Sequence, residues 1–322
     1  MKFIRSRLKP LLLLLVVMPV LASCVNPRKA QQEAMAAAPA LLEGDWPKVE
    51  EQMEKAISNF RGHAGFWVML GRARYEQKKY APAIEAYNQA IYFSKKSQRN
   101  FKAMSWQNLA KIHSVQGRYD KAIEDAKKAV NLFKEMRDRK DLILTLNLMG
   151  GTYSKSGRPA KAEEVLAESL TYGGSTRLQK QVMLTHLVLA DHHIKYDNPE
   201  KAAENLEKAL PVLSKSDSKI DRLVQARTRS KLAGILVKLG RFEQAISEYG
   251  QARDIALTAD DYSFGIKTRL TLGETQIRHG SFELGCTELQ RALTLQRQYD
   301  NPDMESRITA AQARHNCPAA QA

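Results

Sequence analysis

The sequence predicts an all-α protein built as a solenoid of about seven helix hairpins, because one short phrase recurs along it. The phrase is a turn residue, a polar residue, and then an aromatic residue or proline. Its first residues lie 34 to 43 positions apart, mostly about 40, and are Gly44, Lys78, Gly117, Gly157, Asp197, Gly240 and Gly280. A repeat of this length is typical of stacked helix pairs and not of a globular enzyme core.

The segment after each turn places small residues at two positions that lie seven residues apart. The first position holds Val49, Ala83, Ala122, Ala162, Ala202, Ala245 and Gly285. The second holds Ala56, Ala90, Ala129, Ser169, Ala209, Ala252 and Ala292. Positions seven apart share one helix face, and small side chains there let a neighbouring helix approach closely. The segment before each turn has its own apolar face at helical spacing.

These positions resemble the tetratricopeptide repeat (TPR), a hairpin of two helices. The matching residues are Trp67, Leu70, Gly71, Ala83, Tyr87 and Ala90 in one unit and Trp106, Leu109, Ala110, His113, Ala122 and Ala129 in the next. The resemblance implies a TPR-type α-solenoid, which we place at residues 34–300, and a role in binding other proteins. Because most periods exceed the usual 34 residues, we expect longer second helices or longer loops. The first unit is the weakest match and a candidate cap.

A capping helix is predicted at residues 301–316, followed by a tail at 317–322. Asn301 and Pro302 are typical of a helix start, and the residues Met304, Ile308 and Ala311 form an apolar stripe. A terminal helix of this kind covers the apolar face of the last repeat, which keeps a solenoid soluble.

Residues 1–23 are predicted to be a lipoprotein signal peptide. A basic start precedes an apolar run at residues 11–20, which is too short for a stable membrane anchor. The next residues, Leu21 to Cys24, resemble a bacterial lipoprotein cleavage box. The resemblance implies cleavage before Cys24, lipid on its thiol and amino group, and a short tether at residues 24–33. The alternative is an ordinary signal peptide, or a cysteine unrelated to lipid.

The expected location is the outer membrane, with the protein anchored by lipid and facing the periplasm. Val25 stands where an aspartate would retain such a lipoprotein in the inner membrane. The whole chain has a formal charge of +15, and about +11 remains once the four basic residues of the signal are removed. We do not expect nucleic acid as a partner, because an exported protein meets little of it and the aromatic residues occupy repeat positions.

The two other cysteines, Cys286 and Cys317, are a candidate disulfide. If the capping helix packs antiparallel to the last repeat, the two residues come near each other, and an oxidising periplasm permits the bond. Two independent thiols are the alternative.

No active site, metal or cofactor is expected. His186, Asp191, His192 and His193 look like a metal cluster, but His186 and His193 occupy packing positions of the repeat, and we expect His192 on another face. The sequence contains no His-Glu-x-x-His motif, no Gly-x-Ser-x-Gly elbow and no phosphate-binding glycine loop. A metal-dependent enzyme therefore remains only a distant alternative.

By resemblance, the first helices line a groove that binds partners. Its candidate residues are Arg72, Asn108, Lys111, Asn147, Lys155, Lys195, Lys238 and Arg278. The last four residues occupy one repeat position, and we name them the basic ladder. Such a ladder would attract an acidic segment. The alternative is that these cations only suit the negative end of a helix dipole. The two asparagines could hydrogen-bond a peptide backbone, as in arrays like kinesin light chain.

The sequence therefore favours a non-catalytic scaffold that binds an envelope protein or peptide. With both a lipoprotein cleavage box and a TPR array, the chain resembles proteins that assist assembly of type IV pili or secretion channels. An adaptor that regulates peptidoglycan hydrolases or envelope proteases is the alternative. The sequence leaves the oligomeric state open.

Overall fold

The computed structural model describes residues 26–216, 218–299 and 302–318, and in these ranges every regular element is a helix. The predicted signal peptide and Cys24 lie outside the described residues. The chain divides into two compact units, of which the first ends at Asp138 and the second begins at Arg139.

The first unit consists of helices joined by short turns. In chain order they are α1 (Pro27–Ala36), α2 (Ala38–Glu43), α3 (Trp46–Asn59), α4 (Ala64–Glu76), α5 (Tyr80–Phe93), a 3-10 turn (Lys96–Gln98), α6 (Arg99–Val115) and α7 (Tyr119–Met136). The pairs α4–α5 and α6–α7 are hairpins, and α1 and α2 both pack against α3.

The first hairpin differs from the others because its first helix is divided at Ala37. Pro39 has no N–H to donate and cannot continue the helical hydrogen-bond ladder of α1. The packed part of the first hairpin also begins earlier in the chain than expected. The predicted tether at residues 24–33 overlaps α1, which starts at Pro27 and buries Ala30 completely.

The second unit contains four hairpins and a final helix. Its elements are α8 (Arg139–Lys155), α9 (Pro159–Thr171), a 3-10 turn (Thr176–Leu178), α10 (Gln179–Lys195), α11 (Pro199–Leu213), α12 (Lys219–Lys238), α13 (Phe242–Thr258), α14 (Tyr262–Arg278), α15 (Phe282–Tyr299) and α16 (Pro302–Arg314). The last helix, α16, contacts α14 and α15 and buries Ile308 and Ala311. It is the predicted capping helix.

All seven predicted turns have the same backbone conformation. Their first residues, Gly44, Lys78, Gly117, Gly157, Asp197, Gly240 and Gly280, have φ between +51° and +87°. In each turn the next N–H donates to the carbonyl five residues earlier, over 2.8–3.0 Å. This is the Schellman motif, which ends a helix and accounts for glycine at five of the seven turns.

The fourteen predicted small positions are all buried, from Val49 in α3 to Ala292 in α15. The helices α14 and α15 approach each other closely. A Cβ added to Gly285 would lie 2.5 Å from the carbonyl oxygen of Gly273, so no larger residue fits there. The paired helices therefore meet where the sequence pattern predicts.

Most repeats are longer than 34 residues for a reason that differs in part from the one expected. The helices α6, α8, α10 and α14 each have 17 residues and α12 has 20, against 13 in α4. First helices therefore take up part of the added length, which the prediction missed. The second helices α7, α13 and α15, with 18, 17 and 18 residues against 14 in α5, supply another part, as predicted. The added turns supply core residues, such as Leu142 at the start of α8.

Candidate partner-binding surface

The basic ladder occupies equivalent positions in the second unit. Lys155, Lys195, Lys238 and Arg278 are the last residues of α8, α10, α12 and α14, and all four are exposed. Each lies at the negative end of its helix dipole, which is the place that the alternative interpretation requires. The other contacts of each cation therefore decide whether it has a binding role or only a helix-end role.

Lys195 has a role within the fold. Its Nζ atom donates to the carbonyl oxygen of Ser154 over 2.6 Å and to that of Lys155 over 3.2 Å. The hydroxyl of Tyr196 donates to the same Ser154 oxygen over 2.9 Å. Carbonyls in the last turn of a helix lack partners within it. Lys195, which belongs to the neighbouring hairpin, thus donates hydrogen bonds to carbonyls at the end of α8. This agrees with the helix-end interpretation for this residue.

The other three ladder cations have no such partner among the residues that the structure describes. Within the described ranges, Lys155, Lys238 and Arg278 make no salt bridge. Two carboxylates on first helices of the same unit are engaged elsewhere, since Asp191 pairs with Lys231 and Glu274 pairs with Arg314, over 3.1 Å in the second case. The second unit therefore presents uncompensated positive charge at three helix ends.

In the first unit, Arg72 and Lys111 are exposed and lie over aromatic rings. The guanidinium carbon of Arg72 is 5.2 Å from the ring centre of Trp46, and the Lys111 ammonium is 4.4 Å from that of Tyr75. Cation–π contacts orient these side chains without neutralising their charge. Neither cation makes a salt bridge within the described part of the chain.

The two predicted groove asparagines have different environments, and only Asn147 is buried. Asn108 is half-buried, and its Nδ2 atom donates to the carbonyl of Met104 in its own helix over 2.8 Å. Asn147 is only 6% exposed, and its Oδ1 atom accepts from the Ser169 hydroxyl over 3.0 Å. The proposed role of Asn147 in backbone recognition was therefore wrong.

The reason for the burial of Asn147 is the side chain opposite it. Ser169 replaces alanine at a small-residue position, and its buried hydroxyl needs hydrogen-bond partners. Thr185 of α10 completes the group, with its Oγ1 atom 3.2 Å from that of Ser169. Serine among alanines was the sequence signal that could have revealed this polar contact.

The predicted histidine cluster is only partly assembled. His186 is held by Asn205, with 2.9 Å between Nδ1 and Oδ1, and Asp191 is paired with Lys231. His192 and His193 come together and are both buried, so the expectation that His192 points to another face was wrong. Sequence reasoning missed Glu163 of α9, whose Oε1 atom approaches both imidazoles.

The environment keeps both imidazoles neutral at neutral pH. Burial lowers the pKa of His192, and Glu163 offsets part of that effect. Burial also lowers the pKa of His193, and the adjacent His192 lowers it further. A desolvated imidazole disfavours its charged form, so each neutral ring carries one nitrogen lone pair.

The structure joins Cys286 of α15 to Cys317 after α16 by a disulfide, with the Cα atoms 5.4 Å apart.

Among the described helices, none combines the length and apolar character that a membrane crossing requires. A cavity of about 460 Å³ lies among α11, α12 and α13. Arg229, one of its lining residues, is paired with Glu248 over 2.6 Å, so these two charges stabilise the fold.

Comparisons with known proteins identify the same repeat architecture. Models of the tetratricopeptide repeat match residues 38–100 and 101–172. No curated protein matches the chain in sequence.

Three solved structures share the fold at low sequence identity. A chain of the APC/C hetero-tetramer Cut9-Hcn1 has a TM-score of 0.56 at 16% identity, covering 83% of this chain and 46% of that one, so this chain spans less than half of it. A Rap protein complexed with Competence and Sporulation Factor has a TM-score of 0.55 at 14% identity, covering 88% and 86%. PilW, a type IV pilus biogenesis factor, has a TM-score of 0.55 at 15% identity, covering 71% and 94%. The chain is therefore a TPR-type α-solenoid, with tetratricopeptide repeats at residues 38–172.

Proposed function

We propose that this protein is a non-catalytic scaffold that binds envelope proteins and is anchored by lipid on Cys24 to the periplasmic face of the outer membrane. Tetratricopeptide repeats bind proteins or peptides, and this chain has them over residues 38–172. The lipid anchor and the location follow from the sequence of residues 1–25 alone. Several acyl chains would give stable anchoring.

The observation that carries the binding proposal is the uncompensated charge of Lys155, Lys238 and Arg278. Each cation is exposed at the end of a first helix and makes no salt bridge in the part of the chain that the structure describes. Holding like charges on one protein face costs electrostatic energy that an anionic partner recovers. The partner segment should therefore be acidic, and its encounter with the scaffold should depend on salt.

We further propose that the bound partners belong to an envelope machine such as a type IV pilus or a secretion channel. The fold likeness to PilW supports this choice, because PilW is described as a type IV pilus biogenesis factor. The Rap structure shows the same kind of fold with Competence and Sporulation Factor bound. Regulation of peptidoglycan hydrolases or envelope proteases is the second candidate, since an acidic segment on such an enzyme would suit the same ladder.

Site-specific crosslinking in intact cells tests the partner. A photo-reactive residue at Lys238 on a first helix should capture a pilus or secretin subunit, whereas the same residue at Lys208 on α11 serves as the control. Deletion of the protein should then mislocalise that subunit. Capture of hydrolases, with altered cell shape and normal piliation, would favour the second candidate.

Membrane fractionation tests the anchor separately. The Cys24→Ala protein should leave the outer-membrane fraction, while the Cys317→Ser protein should remain in it. Retention of the Cys24→Ala protein in the outer membrane would refute lipid anchoring without deciding what the helices bind.

A further inference from the structure

Three side chains able to bind a metal converge between two successive hairpins. Glu163 belongs to α9, and His192 and His193 belong to the last turn of α10. The Glu163 Oε1 atom is 3.7 Å from Nε2 of His192 and 3.8 Å from Nδ1 of His193. All three atoms lie within 4.8 Å of one another.

These separations are too long for direct hydrogen bonds, which rarely exceed about 3.2 Å. They are close to the spacing that a shared ion imposes. A tetrahedral zinc ion with bonds of about 2.0–2.1 Å places its ligand atoms about 3.4 Å apart. Contraction by a few tenths of an ångström would bring Glu163 to that spacing from each imidazole.

The surroundings fix the orientation of the site. The Nδ1 atom of His192 lies 3.1 Å from the hydroxyl of Ser154, so Nε2 is the nitrogen directed at Glu163. Metal-bound histidines usually have their second ring nitrogen held in this way. The side chains of His192 and His193 are 1% and 7% exposed, whereas that of Glu163 is 48% exposed, which leaves an approach for the ion.

We infer that Glu163, His192 and His193 bind one divalent transition-metal ion of the zinc class, which fastens α9 to α10. Two imidazoles and one carboxylate are a donor set that suits such ions. The ion would join the α8–α9 hairpin to the α10–α11 hairpin beside the contact between Lys195 and Ser154. Its effect is to hold the spacing of the ladder positions Lys155 and Lys195. The inference does not depend on the identity of the partner.

Metal titration of the full-length protein tests the inference. The protein is stripped with EDTA, dialysed, and titrated with Zn²⁺ by calorimetry, with Co²⁺ absorption as the second measurement. The native protein should bind one equivalent, and its unfolding temperature should rise with Zn²⁺. The Glu163→Gln protein should bind at least about tenfold more weakly and lose this rise.

The neighbouring Glu164 provides a matched control, because it is an exposed carboxylate on the same helix. The Glu164→Gln and His186→Gln proteins should bind Zn²⁺ as the native protein does. Since Glu163 is exposed, its replacement should leave the circular dichroism spectrum unchanged, so weaker binding cannot be ascribed to misfolding. Absence of binding, or equal binding by the Glu163→Gln protein, would overturn the inference.

Discussion

Cys286, near the start of α15, is bonded to Cys317, which follows the capping helix α16, and their Cα atoms are 5.4 Å apart. The bond spans 31 positions and encloses the last part of α15 together with α16. The end of the second unit is thus held by a covalent link in addition to the apolar contacts of Ile308 and Ala311. Disulfides persist in oxidising compartments, which agrees with the proposed export.

Removal of this disulfide should release the capping helix. For a loop of this length, the chain-entropy model gives a stabilisation of about 3.7 kcal/mol. The Cys286→Ser, Cys317→Ser double variant should unfold at lower urea concentration and exchange the amide hydrogens of α16 faster. Unchanged exchange in α16 after reduction of the native protein would contradict this prediction.

The ladder should act through its three unpaired cations. Replacing Lys155, Lys238 and Arg278 by Gln should weaken binding of the crosslinked partner by about tenfold at low ionic strength and reduce its salt dependence. Calorimetry at two salt concentrations measures both effects. Replacing Lys195 alone should mainly lower thermal stability, because its ammonium serves the end of α8.

The matched control for this experiment changes three exposed cations on second helices, Lys161, Lys208 and Arg291, to Gln. The net charge change is the same, so a general effect of charge would appear in both triple variants. Equal affinity of the ladder variant and the native protein at low salt would refute the electrostatic role.

Asn147 should contribute more to the stability of the fold than Asn108 does. Asn147→Ala removes a buried acceptor of the Ser169 hydroxyl and should lower the unfolding free energy by about 1–3 kcal/mol. Asn108→Ala should cost less, because its side chain only bonds its own helix. Urea denaturation decides the order, and a larger loss for Asn108→Ala would contradict the assignment.

Stability of the first unit should fall with acid through Glu50. Burial raises the pKa of this carboxyl, but hydrogen bonds from Lys79, Arg74 and Gln77 outweigh it and hold the pKa below the ordinary 4.5. The unfolded state therefore binds more protons, and stability decreases as pH falls below about 4.5. At neutral pH, Glu50→Gln should cost about 1.5–3 kcal/mol.

The pH dependence itself distinguishes Glu50 from other carboxylates. The loss of stability between pH 5 and 3 should be smaller in the Glu50→Gln protein than in the native protein. Glu85→Gln, on the exposed side of α5, should change the unfolding free energy by less than about 0.5 kcal/mol. Parallel stability curves for native and Glu50→Gln proteins would disprove the assignment.

Two of the seven predicted turns have a residue other than glycine in the left-handed conformation. Lys78 and Asp197 have φ of +61° and +51°, which costs a residue with a Cβ roughly 1 kcal/mol. Lys78→Gly and Asp197→Gly should each raise the unfolding temperature, and Gly117→Ala at the equivalent turn should lower it. A lower unfolding temperature for both glycine variants would show that their side chains contribute more than the strain removes.

The sequence alone determined the helix hairpins and the positions of their turns. A turn that needs positive φ favours glycine, and close helix contact requires small side chains, so both constraints appear as periodic residue types. The last residues of α8, α10, α12 and α14 could therefore be placed by counting from the turns. Local spacing also sufficed for the apolar stripe of α16.

Only the tertiary structure decided which side chains are available for binding. Asn147 is buried because Ser169 lies opposite it, and Lys195 is engaged because the end of α8 lies 40 positions earlier in sequence but within hydrogen-bond distance. Glu163 meets His192 and His193 for the same reason. These contacts depend on how one hairpin packs on the next, and spacing within a helix does not encode that distance.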